Sequence, residues 1–546
     1  IGYIAWCLCN NSIHGIRYYV LDSILRKTLI LYNKLLPTHY MILFRSLVKH
    51  IFGKMKTDFL KRNLAGYKES IEALNKLQTN AQVLQKLKVN KSHGQENNVQ
   101  STIKYLSRSG ITVDQLEREL SIIHVSGTKG KGSTCAICES VLHRHGYKTG
   151  FFSSPHLVAV RERIRINTTP LAEADFARYF WKVYNKLKAK KENENDMPSY
   201  FKFLTVMALN VFLEEKVDVA IIEVGIGGEL DCTNIFKKPA VVGVTSLGLD
   251  HTSLLGNTIE QIAWQKGGIM KLGTPAFTSP QLEPALQVLH QRALEKKCPL
   301  WEVPPLSKYD CESLQLSECL RGDVQGINTS LAVQLSQAWI SSNRQQPVLT
   351  NAGLLGHAKP FKIDHATAEG ITMCSWPGRF QVLTRSSKLG SCTYYLDGAH
   401  TLESMKLCVQ WFCQTTKENH HRGTCRYTLV FNVSGDRSAA DLLVPLMSCQ
   451  FDSALFCPNI LVSDPISNDL TNYTVTSKHQ LDRCEANKEA WLSLKKDNAS
   501  FGTELKTFPS VTETLKYIEE RGGEQRVLVT GSLHLVGAML SAFDHS

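Results

Sequence analysis

One glycine-rich segment sets the architecture of this chain: His124-Val-Ser-Gly-Thr-Lys-Gly-Lys-Gly-Ser-Thr134. The apolar run from Leu120 to Val125 predicts a buried strand before it, and Cys135 to His143 predicts a helix after it. This is the layout of a phosphate-binding loop, because glycines let backbone N–H groups close around phosphate oxygens and the helix dipole favours negative charge. The common pattern places a hydroxyl directly after the Gly-Lys pair, whereas here Gly132 intervenes. The segment therefore predicts a phosphate site with an unusual spacing.

Strands and helices alternate outward from this loop to about Gly273, and the α/β pattern resumes beyond Trp376. The alternation predicts a parallel sheet with helices on both faces. In the first region the predicted strands are Leu120–Val125, Val217–Val224 and Ala240–Ser246, and the predicted helices are Leu171–Lys191, Tyr200–Glu214 and Thr258–Met270. Further along, a helix is predicted at Asn328–Ser342 and strands at Tyr394–Leu396, Tyr427–Asn432, Ser453–Cys457 and Arg526–Thr530.

The chain of 546 residues is too long for one compact core, so more than one domain is expected. We assign residues 1–66 to an N-terminal extension, 67–345 to the phosphate-loop α/β domain and 376–546 to a smaller Rossmann-like α/β domain. The irregular residues 346–375 are assigned to a linker between the two domains.

The composition and net charge exclude some classes of binding partner but do not select one. A net charge of +12 is compatible with nucleic acid, membrane or small polyanionic partners. The sequence has no nucleic-acid motif and no apolar run long enough to span a bilayer, so we expect small-molecule substrates, no nucleic acid and no stable membrane insertion. Nothing indicates an obligate interface, and a monomer is expected. The 16 scattered cysteines lack metal-site spacing and are expected to be buried thiols in a reducing compartment.

The pattern of the N-terminal region is that of a targeting segment. From Met41 onward basic and apolar residues alternate, and no acid occurs before Asp58. A basic, acid-free amphipathic helix is typical of a mitochondrial presequence, and a second start at Met55 would lack it. Protein that starts at Met41 would go to the mitochondrion, and protein that starts at Met55 would stay in the cytoplasm. The alternative is that this segment is an ordinary surface helix.

Polar residues follow the predicted strands of the first domain, where ligands of open parallel sheets bind. Glu223 ends a buried apolar run, and a carboxylate there is costly unless it is paired or bound to a cation. A neighbouring helix N-terminus satisfying that carboxylate is the alternative. His251, in Leu247-Gly-Leu-Asp-His-Thr252, follows another predicted strand. An oxygen, a carboxylate and an imidazole near phosphates suit Mg²⁺, which takes few protein ligands.

Two other patterns suggest substrate contacts. Arg161, Arg163 and Arg165 recur with period two, so on a strand they would share one face and could bind a carboxylate-rich substrate, although a solvated edge strand fits equally. In the second domain Asp397 follows a predicted strand and opens a glycine turn, which suits ribose, metal or amine contacts.

From about Tyr67 to the C-terminus the chain resembles the eukaryotic folylpolyglutamate synthases of the Mur ligase superfamily. Eight motifs carry the resemblance in order: GTKGKGST, FFSSPHLVAVRERIRIN, IIEVGIGGELDCTNIF, SLGLDHTSLLG, IAWQKGGI, WPGRFQV, LDGAHT and VTGSLHLVGA. The resemblance implies a Mur-ligase-type ATP-binding domain and a C-terminal glutamate-ligase domain. It also implies ATP-dependent addition of L-glutamate to the γ-carboxyl of tetrahydrofolates through an acyl phosphate, with Mg²⁺ and with K⁺ as activator. Domain closure over a shared cleft is expected to assemble the site.

The resemblance also implies residue roles. The ATP-binding residues would be Gly130, Lys131, Gly132, Ser133, Arg379 and Asp397. The magnesium ligands would be Ser154, Glu223 and His251. Lys266 would match a lysine that related ligases carbamylate to bridge a second cation. Catalysis would fall to Lys131, Lys266, His251 and Asp397. Contacts to glutamate or folate would come from His400, Ser532, Thr79, Arg161 and Arg163.

The chain departs from the family pattern at one position, and two other functions use part of the same motifs. Where relatives are expected to carry a basic residue in Val324-Gln-Gly-Ile-Asn328, this chain has Gly326, which puts one nucleotide contact in doubt. Dihydrofolate synthase, or a bifunctional enzyme, would use the same chemistry on dihydropteroate. A nucleotide-binding regulator without ligase activity is less expected, because it has no need of the whole set Lys131, Glu223, His251, Lys266 and Asp397.

Overall fold

The computed structural model describes residues 66–77, 98–310, 322–343, 354–417, 425–433, 437–461, 477–496 and 502–545. The candidate presequence after Met41, the second start at Met55 and the acceptor-side residue Thr79 lie outside these described residues.

The first domain is built on a large sheet. Its described strands are β1 (Ile122–Ser126), β2 (Thr149–Phe152), β3 (Ile164–Ile166), β4 (Thr169–Pro170), β5 (Val219–Glu223), β6 (Val241–Val244), β7 (Ala276–Thr278), β8 (Leu300–Glu302) and β9 (Leu355–His357). They lie in the order β4-β3-β2-β5-β1-β6-β7-β8-β9. Between β2 and β9 in this order all described neighbours are parallel, and the β2–β3 and β3–β4 pairs at one edge are antiparallel. The predicted parallel sheet is confirmed.

Helices cover both faces of this sheet. They are α1 (residues 66–75), α2 (Asn98–Ser109), α3 (Val113–Glu119), α4 (Lys131–Arg144), α5 (Glu173–Ala189), α6 (Tyr200–Glu215), α7 (Thr252–Leu255), α8 (Ile259–Gly267), α9 (Glu283–Lys296), α10 (Asp323–Asn343) and α11 (His365–Thr372). Successive residues of β1 point to opposite faces: Ile122 packs with α5 and α6, whereas Ile123 and Val125 pack with α4 and α10. Because both faces are buried, the strands read as continuous apolar runs.

The second domain is a smaller α/β unit. Its described strands are β10 (Gln381–Ser387), β11 (Gly390–Leu396), β12 (Cys425–Phe431), β13 (Ser453–Phe456), β14 (Glu504–Thr507) and β15 (Gly523–Thr530), in the order β10-β11-β15-β12-β13-β14. Its helices are α12 (Leu402–Lys417), α13 (Ala439–Leu443), α14 (Ser477–Lys496), α15 (Val511–Glu520) and α16 (Leu533–His545). Among the described strands of this sheet, only the β10–β11 pair is antiparallel.

The linker prediction fails for its described part. The segment that begins at residue 354 adds β9 to the large sheet, where β9 pairs in parallel with β8. Helix α11 then packs on α4, with the Ser140 hydroxyl donating to Gly370 O at 2.6 Å. A Cβ at Gly370 would lie 2.5 Å from Val141 Cα, so a larger residue would separate the helices. These residues therefore belong to the first domain.

Two further findings bear on the sequence expectations. Twelve cysteines in the described residues are free thiols, and ten of them are buried, as expected for small core thiols. None of the helices that the structure describes is both long enough and apolar enough to cross a membrane.

Candidate active site

The phosphate loop connects β1 to α4 in a conformation that its glycines permit. Gly130 has a φ of 88°, in the left-handed region, and a Cβ there would lie 2.0 Å from Asn328 Oδ1. The Lys129 N–H donates to Ser246 O at 3.1 Å and fixes the loop against the segment after β6. Since α4 begins at Lys131, the N–H groups of its first turn have no partner within the helix and can bind an anion.

The two lysines of the loop have different surroundings. Lys129 Nζ lies 3.1 Å from Asp250 Oδ2, so its charge is already paired. Burial lowers the pKa of Lys129, and Asp250 raises it in opposition. Among the described residues, Lys131 Nζ has no hydrogen-bond or ion-pair partner, which leaves its charge for a ligand. The sequence interpretation missed Asp250, although the residue stands next to His251 in a quoted motif.

Glu223 lies at the carboxyl end of β5, as predicted. Its side chain is buried, and one carboxylate oxygen accepts the Ser154 N–H at 3.0 Å. Burial raises the pKa of Glu223, whereas Lys131 and the Ser154 N–H lower it. The partner of this carboxylate is therefore the loop after β2 and not a neighbouring helix N-terminus.

His251 lies seven residues beyond the end of β6, not directly after the strand. Its φ of 51° places it in the left-handed region, immediately before the short helix α7. Burial lowers the pKa of His251, with Asp250 acting in the opposite direction. A neutral imidazole keeps a lone pair that can coordinate a cation.

The predicted metal ligands form a sparse set. No group of three or more His, Cys, Asp or Glu side chains in the described residues is arranged to hold a metal ion by itself. Ser154, Glu223 and His251 nevertheless line one cleft with Lys131. A buried carboxylate beside a hydroxyl and a neutral imidazole fits a Mg²⁺ ion that retains several waters, because Mg²⁺ dehydrates reluctantly and takes few protein ligands.

Lys266 lies beneath the phosphate loop and does not line the cleft. Its Nζ donates to Gly127 O at 2.7 Å, and the Ser126 hydroxyl donates to Lys266 O at 2.9 Å. Burial lowers the pKa of Lys266 to about 7, with a further contribution from Lys131. The amine is therefore partly neutral near pH 7, which is the form that reacts with electrophiles.

The second domain contributes Arg379 and Asp397 to the same cleft. Asp397 follows β11, is buried, and accepts the N–H groups of Phe380 at 3.1 Å and Ala399 at 2.9 Å. Burial raises its pKa, while the Arg379 guanidinium and these N–H groups lower it. The carboxylate is thereby held in one orientation by the backbone on both sides of it.

His400 and Ser532 also face the cleft from the second domain. His400 Nδ1 lies 2.8 Å from Gly398 O. Because a carbonyl oxygen only accepts, Nδ1 carries the proton and Nε2 remains an acceptor. Burial lowers the pKa of His400 to about 3, and nearby Lys129 adds to the effect. Ser532 follows β15, and its Oγ accepts the His534 N–H at 3.2 Å.

These residues line one cleft of about 2280 Å³ that both domains form. The predicted site residues that line it are Gly130, Lys131, Gly132, Ser133, Ser154, Arg163, Glu223, His251, Arg379, Asp397, His400 and Ser532. Residues that sequence reasoning did not assign also line it: Lys129, Asp250, Asn328, Trp376, Glu403 and His534. A cleft of this size accommodates a nucleotide and a second large substrate together.

Comparison with known proteins identifies the family, although no family model matches the chain. The sequence is 42% identical over 546 residues to a mitochondrial folylpolyglutamate synthase of Cricetulus griseus, covering 88% of this chain and 92% of the relative. It is 47% identical over 445 residues to the human mitochondrial folylpolyglutamate synthase, covering 80% of this chain and 75% of the relative. The chain belongs to the folylpolyglutamate synthase family.

Solved structures agree with this family assignment. A structure of E. coli FolC in complex with DHPP and ADP is 25% identical, has a TM-score of 0.62, and covers 86% of this chain and 99% of that chain. A Mycobacterium tuberculosis folylpolyglutamate synthase complexed with ADP has a TM-score of 0.64 at 20% identity and supports the fold alone. The two-domain Mur-ligase-type fold predicted from the sequence is confirmed.

The arginine row of this family member does not form. Residues Val160–Arg163 make a turn of 3-10 helix, so only Arg165 lies on β3. Arg161 donates to Leu171 O at 3.3 Å and does not line the cleft. Arg163 is buried and donates to His156 Nδ1 at 2.9 Å. The prediction of a shared arginine face was wrong, and Arg163 and Arg165 reach the cleft separately.

The departure at Gly326 leaves open space. A Cβ there would meet no heavy atom within 4 Å. On the same helix α10, Asn328 Nδ2 donates to Gln325 Oε1 at 3.0 Å, and both residues line the cleft beside the phosphate loop. The described structure contains no side chain in the place of the expected basic residue.

Proposed function

We propose that this protein adds L-glutamate to the γ-carboxyl of tetrahydrofolates, using ATP and releasing ADP and phosphate. The observation that carries the proposal is the cleft itself. It combines the phosphate loop with an unpaired Lys131 on one side and Arg379, Asp397 and His400 on the other. A nucleotide, a carboxylate and an amine can therefore meet at one place.

The proposed reaction has two steps. A γ-carboxylate oxygen of folate attacks the γ-phosphorus of ATP, the bond to ADP breaks, and an acyl phosphate forms. The glutamate nitrogen then attacks the acyl carbon, phosphate leaves, and the nitrogen loses a proton to give the amide. Lys131 and the first N–H groups of α4 stabilise the charge that spreads over the phosphoryl oxygens in the first step.

His400 suits the second step. Its Nε2 is an acceptor because Nδ1–H is committed to Gly398 O. A neutral imidazole in that tautomer can accept a hydrogen bond from the incoming amine and orient the nitrogen lone pair toward the acyl carbon. The low pKa that burial imposes keeps the ring neutral before substrates bind.

We propose that Ser154, Glu223 and His251, which line the cleft with Lys131, would hold Mg²⁺ there. When bound, Mg²⁺ neutralises charge on the phosphates. The buried, partly neutral amine of Lys266 is suited to carbamylation, which would give a second carboxylate behind the loop. We also propose that K⁺ activates the enzyme, so omitting K⁺ from the assay should lower the rate of product formation.

Dihydrofolate synthase activity is the second candidate. It has specific support, because a similar structure is E. coli FolC in complex with DHPP. The same acyl phosphate chemistry would then use the carboxylate of dihydropteroate. A regulator that binds nucleotide without ligation is disfavoured by the intact His400 and Asp397 half of the cleft.

Mass analysis of products tests the proposal. Purified protein is incubated with ATP, Mg²⁺, K⁺ and L-glutamate, and with tetrahydrofolate or dihydropteroate in separate reactions. We expect a ladder of glutamate additions on tetrahydrofolate that Lys131→Ala abolishes and Lys188→Ala, an exposed lysine at the end of α5, leaves intact. Product only from dihydropteroate would transfer the assignment to the synthase. ATP binding without any amide product would favour the regulator.

Localisation and assembly belong to the same proposal. The curated relatives named above are described as mitochondrial. We propose mitochondrial and cytoplasmic forms from starts at Met41 and Met55, and a monomeric enzyme. Fluorescent fusions that begin at each methionine should go to mitochondria and cytoplasm respectively, and light scattering should give the mass of one chain.

A further inference from the structure

Gly132, which makes the spacing of the phosphate loop unusual, lies directly against an indole ring. A Cβ at Gly132 would be 2.9 Å from Cζ2 of Trp376 and 3.4 Å from its Cε2 and Nε1. The backbone of Gly132 is not in the left-handed region, and the residue lies in the first turn of α4, where alanine is favourable. The contact with Trp376, not backbone conformation, therefore excludes a side chain at this position.

The indole ring is itself held on two sides. Its centroid is 5.5 Å from that of the buried Phe151 ring, and the Arg165 guanidinium carbon lies 5.7 Å from the indole. Arg165 is in turn 3.0 Å from the fully buried Glu139 of α4. The Arg165 guanidinium carbon also lies 5.5 Å from the Phe151 ring, so this cation cannot move far without losing its contacts with two aromatic rings and a buried carboxylate. Trp376 therefore cannot yield cheaply to a larger residue at position 132.

Trp376 stands where the chain passes from the first domain to the second. Its side chain packs on the core that α4 and α10 share. Two residues later, Gly378 already belongs to the second domain, since its N–H donates to Gln381 Oε1 at 2.8 Å and its carbonyl accepts the Gly398 N–H at 3.2 Å. Arg379 follows and lines the cleft. One short segment thus contacts the phosphate loop and carries a cation of the opposite wall.

We propose that Trp376 is a positioning residue for phosphoryl transfer: by lying on Gly132, its ring sets the distance between the phosphate loop and Arg379. The indole acts through these two elements and need not touch the nucleotide. The role in turnover rests on the proposed ligase function, whereas the contact with the phosphate loop can be tested by nucleotide binding alone.

The test is a cycle of four proteins: wild type, Gly132→Ala, Trp376→Phe and the double variant. In Gly132→Ala the new methyl group displaces the loop from the ring, and we expect kcat to fall about 30-fold and ADP affinity to fall by less, about fivefold. Trp376→Phe removes the ring atoms nearest to Gly132, and we expect kcat to fall about threefold. The double variant should return to the level of Trp376→Phe in both kcat and ADP affinity.

Gly130→Ala, with and without Trp376→Phe, is the matched control. Its Cβ would meet Asn328 and its φ is left-handed, so Trp376→Phe should not rescue it. Thermal unfolding of each variant separates loss of the fold from loss of position. Wild-type kinetics in Gly132→Ala, or a double variant no better than Gly132→Ala, would overturn the proposal. If wild type forms no amide product, the proposed function fails, and recovery of ADP affinity still decides on the contact.

Discussion

The two walls of the cleft hold their polar groups in different ways. In the first domain two of the cations are paired with side-chain carboxylates: Lys129 with Asp250 and Arg165 with Glu139. In the second domain Asp397 is held by two backbone N–H groups, and His400 by a backbone carbonyl. A pair of side chains is lost when either partner is substituted or changes its protonation state, whereas a backbone partner can be neither substituted nor titrated.

The first wall is therefore suited to changing its charge contacts during the reaction, and the second wall to holding its side chains in fixed orientations. The first wall must accept an ATP molecule whose charge changes during the reaction, and its cations can redistribute between partners and phosphates. The second wall must present one carboxylate and one imidazole in fixed directions, and backbone groups of a folded turn do this without rotamer freedom. Substitutions of Asp397 and His400 should therefore act on turnover, whereas substitutions within the Lys129–Asp250 and Arg165–Glu139 pairs should change how activity or stability depends on pH.

Asp397→Ala should have the largest effect. Removing the carboxylate leaves the N–H groups of Phe380 and Ala399 unsatisfied and Arg379 without its anionic neighbour. We expect kcat to fall about 1,000-fold. Steady-state kinetics and circular dichroism on the same preparation check this, with Asp452→Ala in the same domain as a control for general destabilisation. Activity within tenfold of wild type would show that the second wall does not orient the reaction.

The second-largest expected effect is a pH dependence of protein stability caused by Glu139, the buried partner of Arg165. Burial raises the pKa of Glu139 from its ordinary 4.5 to about 7, so the folded protein binds the proton more tightly than the unfolded chain. The contribution of protonated Glu139 to the free energy of unfolding is fully present below pH 4.5. It is lost as the pH rises through about 7. The change amounts to about 3 kcal/mol.

Glu139→Gln should remove this dependence. Denaturant unfolding of wild type and variant across that pH range checks it, and the difference between them should shift by that amount. Equal pH dependence of the two proteins would show that Glu139 is already ionised in the fold. It would then act as a plain partner of Arg165.

Substitutions of His400 test which ring nitrogen is used. Glutamine places a polar group near the position of Nε2, and asparagine places one near Nδ1. If the second wall works through an Nε2 acceptor, His400→Gln should lose about 30-fold in kcat and His400→Asn about tenfold more than that. The KM for glutamate measured alongside separates orientation from binding. Asparagine outperforming glutamine would reverse the assignment of the tautomer.

Asp250→Asn tests the charge pairing of the first wall. Burial already lowers the pKa of Lys129, and Asp250 opposes this. Without the carboxylate the pKa of Lys129 falls further, so its charge is lost at a lower pH than in wild type. We expect about a tenfold loss of kcat/KM for ATP at alkaline pH and a smaller loss near neutrality. A pH–rate profile parallel to that of wild type would show that Lys129 does not contribute to ATP binding.

The sequence predicted the site residues that lie at the ends of strands. It did not predict the side-chain positions that depend on local hydrogen bonds or on packing between distant segments. The phosphate loop, Glu223 and Asp397 follow strands, and their positions follow from the rule for parallel sheets. The arginine row failed because the Glu162 carboxylate accepts the N–H groups of the three residues at 157–159 and turns the segment into a 3-10 helix. Alternation of residues does not reveal such a local hydrogen bond.

Contacts between segments far apart in sequence were equally hidden. The residues of α11 were predicted to be a linker because the helix is too short to show a clear apolar pattern. In the structure Gly370 allows α11 to approach α4 closely. The proximity of Trp376 to Gly132 joins residues 244 positions apart, and only the unusual spacing of the loop hinted that a glycine was required there. Intact motifs located the site, and tertiary packing determined which of their side chains reach it.

The smallest expected effect concerns Gly326, where the first wall lacks the basic residue that the family resemblance suggests. A Cβ at this position meets no heavy atom within 4 Å, and the neighbouring Gln325 and Ile327 line the cleft, so we expect Gly326→Arg to start its side chain without a clash. An added cation near the phosphate loop should lower the KM for ATP about threefold at low salt, and the gain should shrink as salt is raised. Gly326→Gln separates charge from helix propensity, since both residues favour α10 over glycine. An equal gain from glutamine would assign the effect to the helix, and no gain from arginine would show that the cations already present saturate the nucleotide.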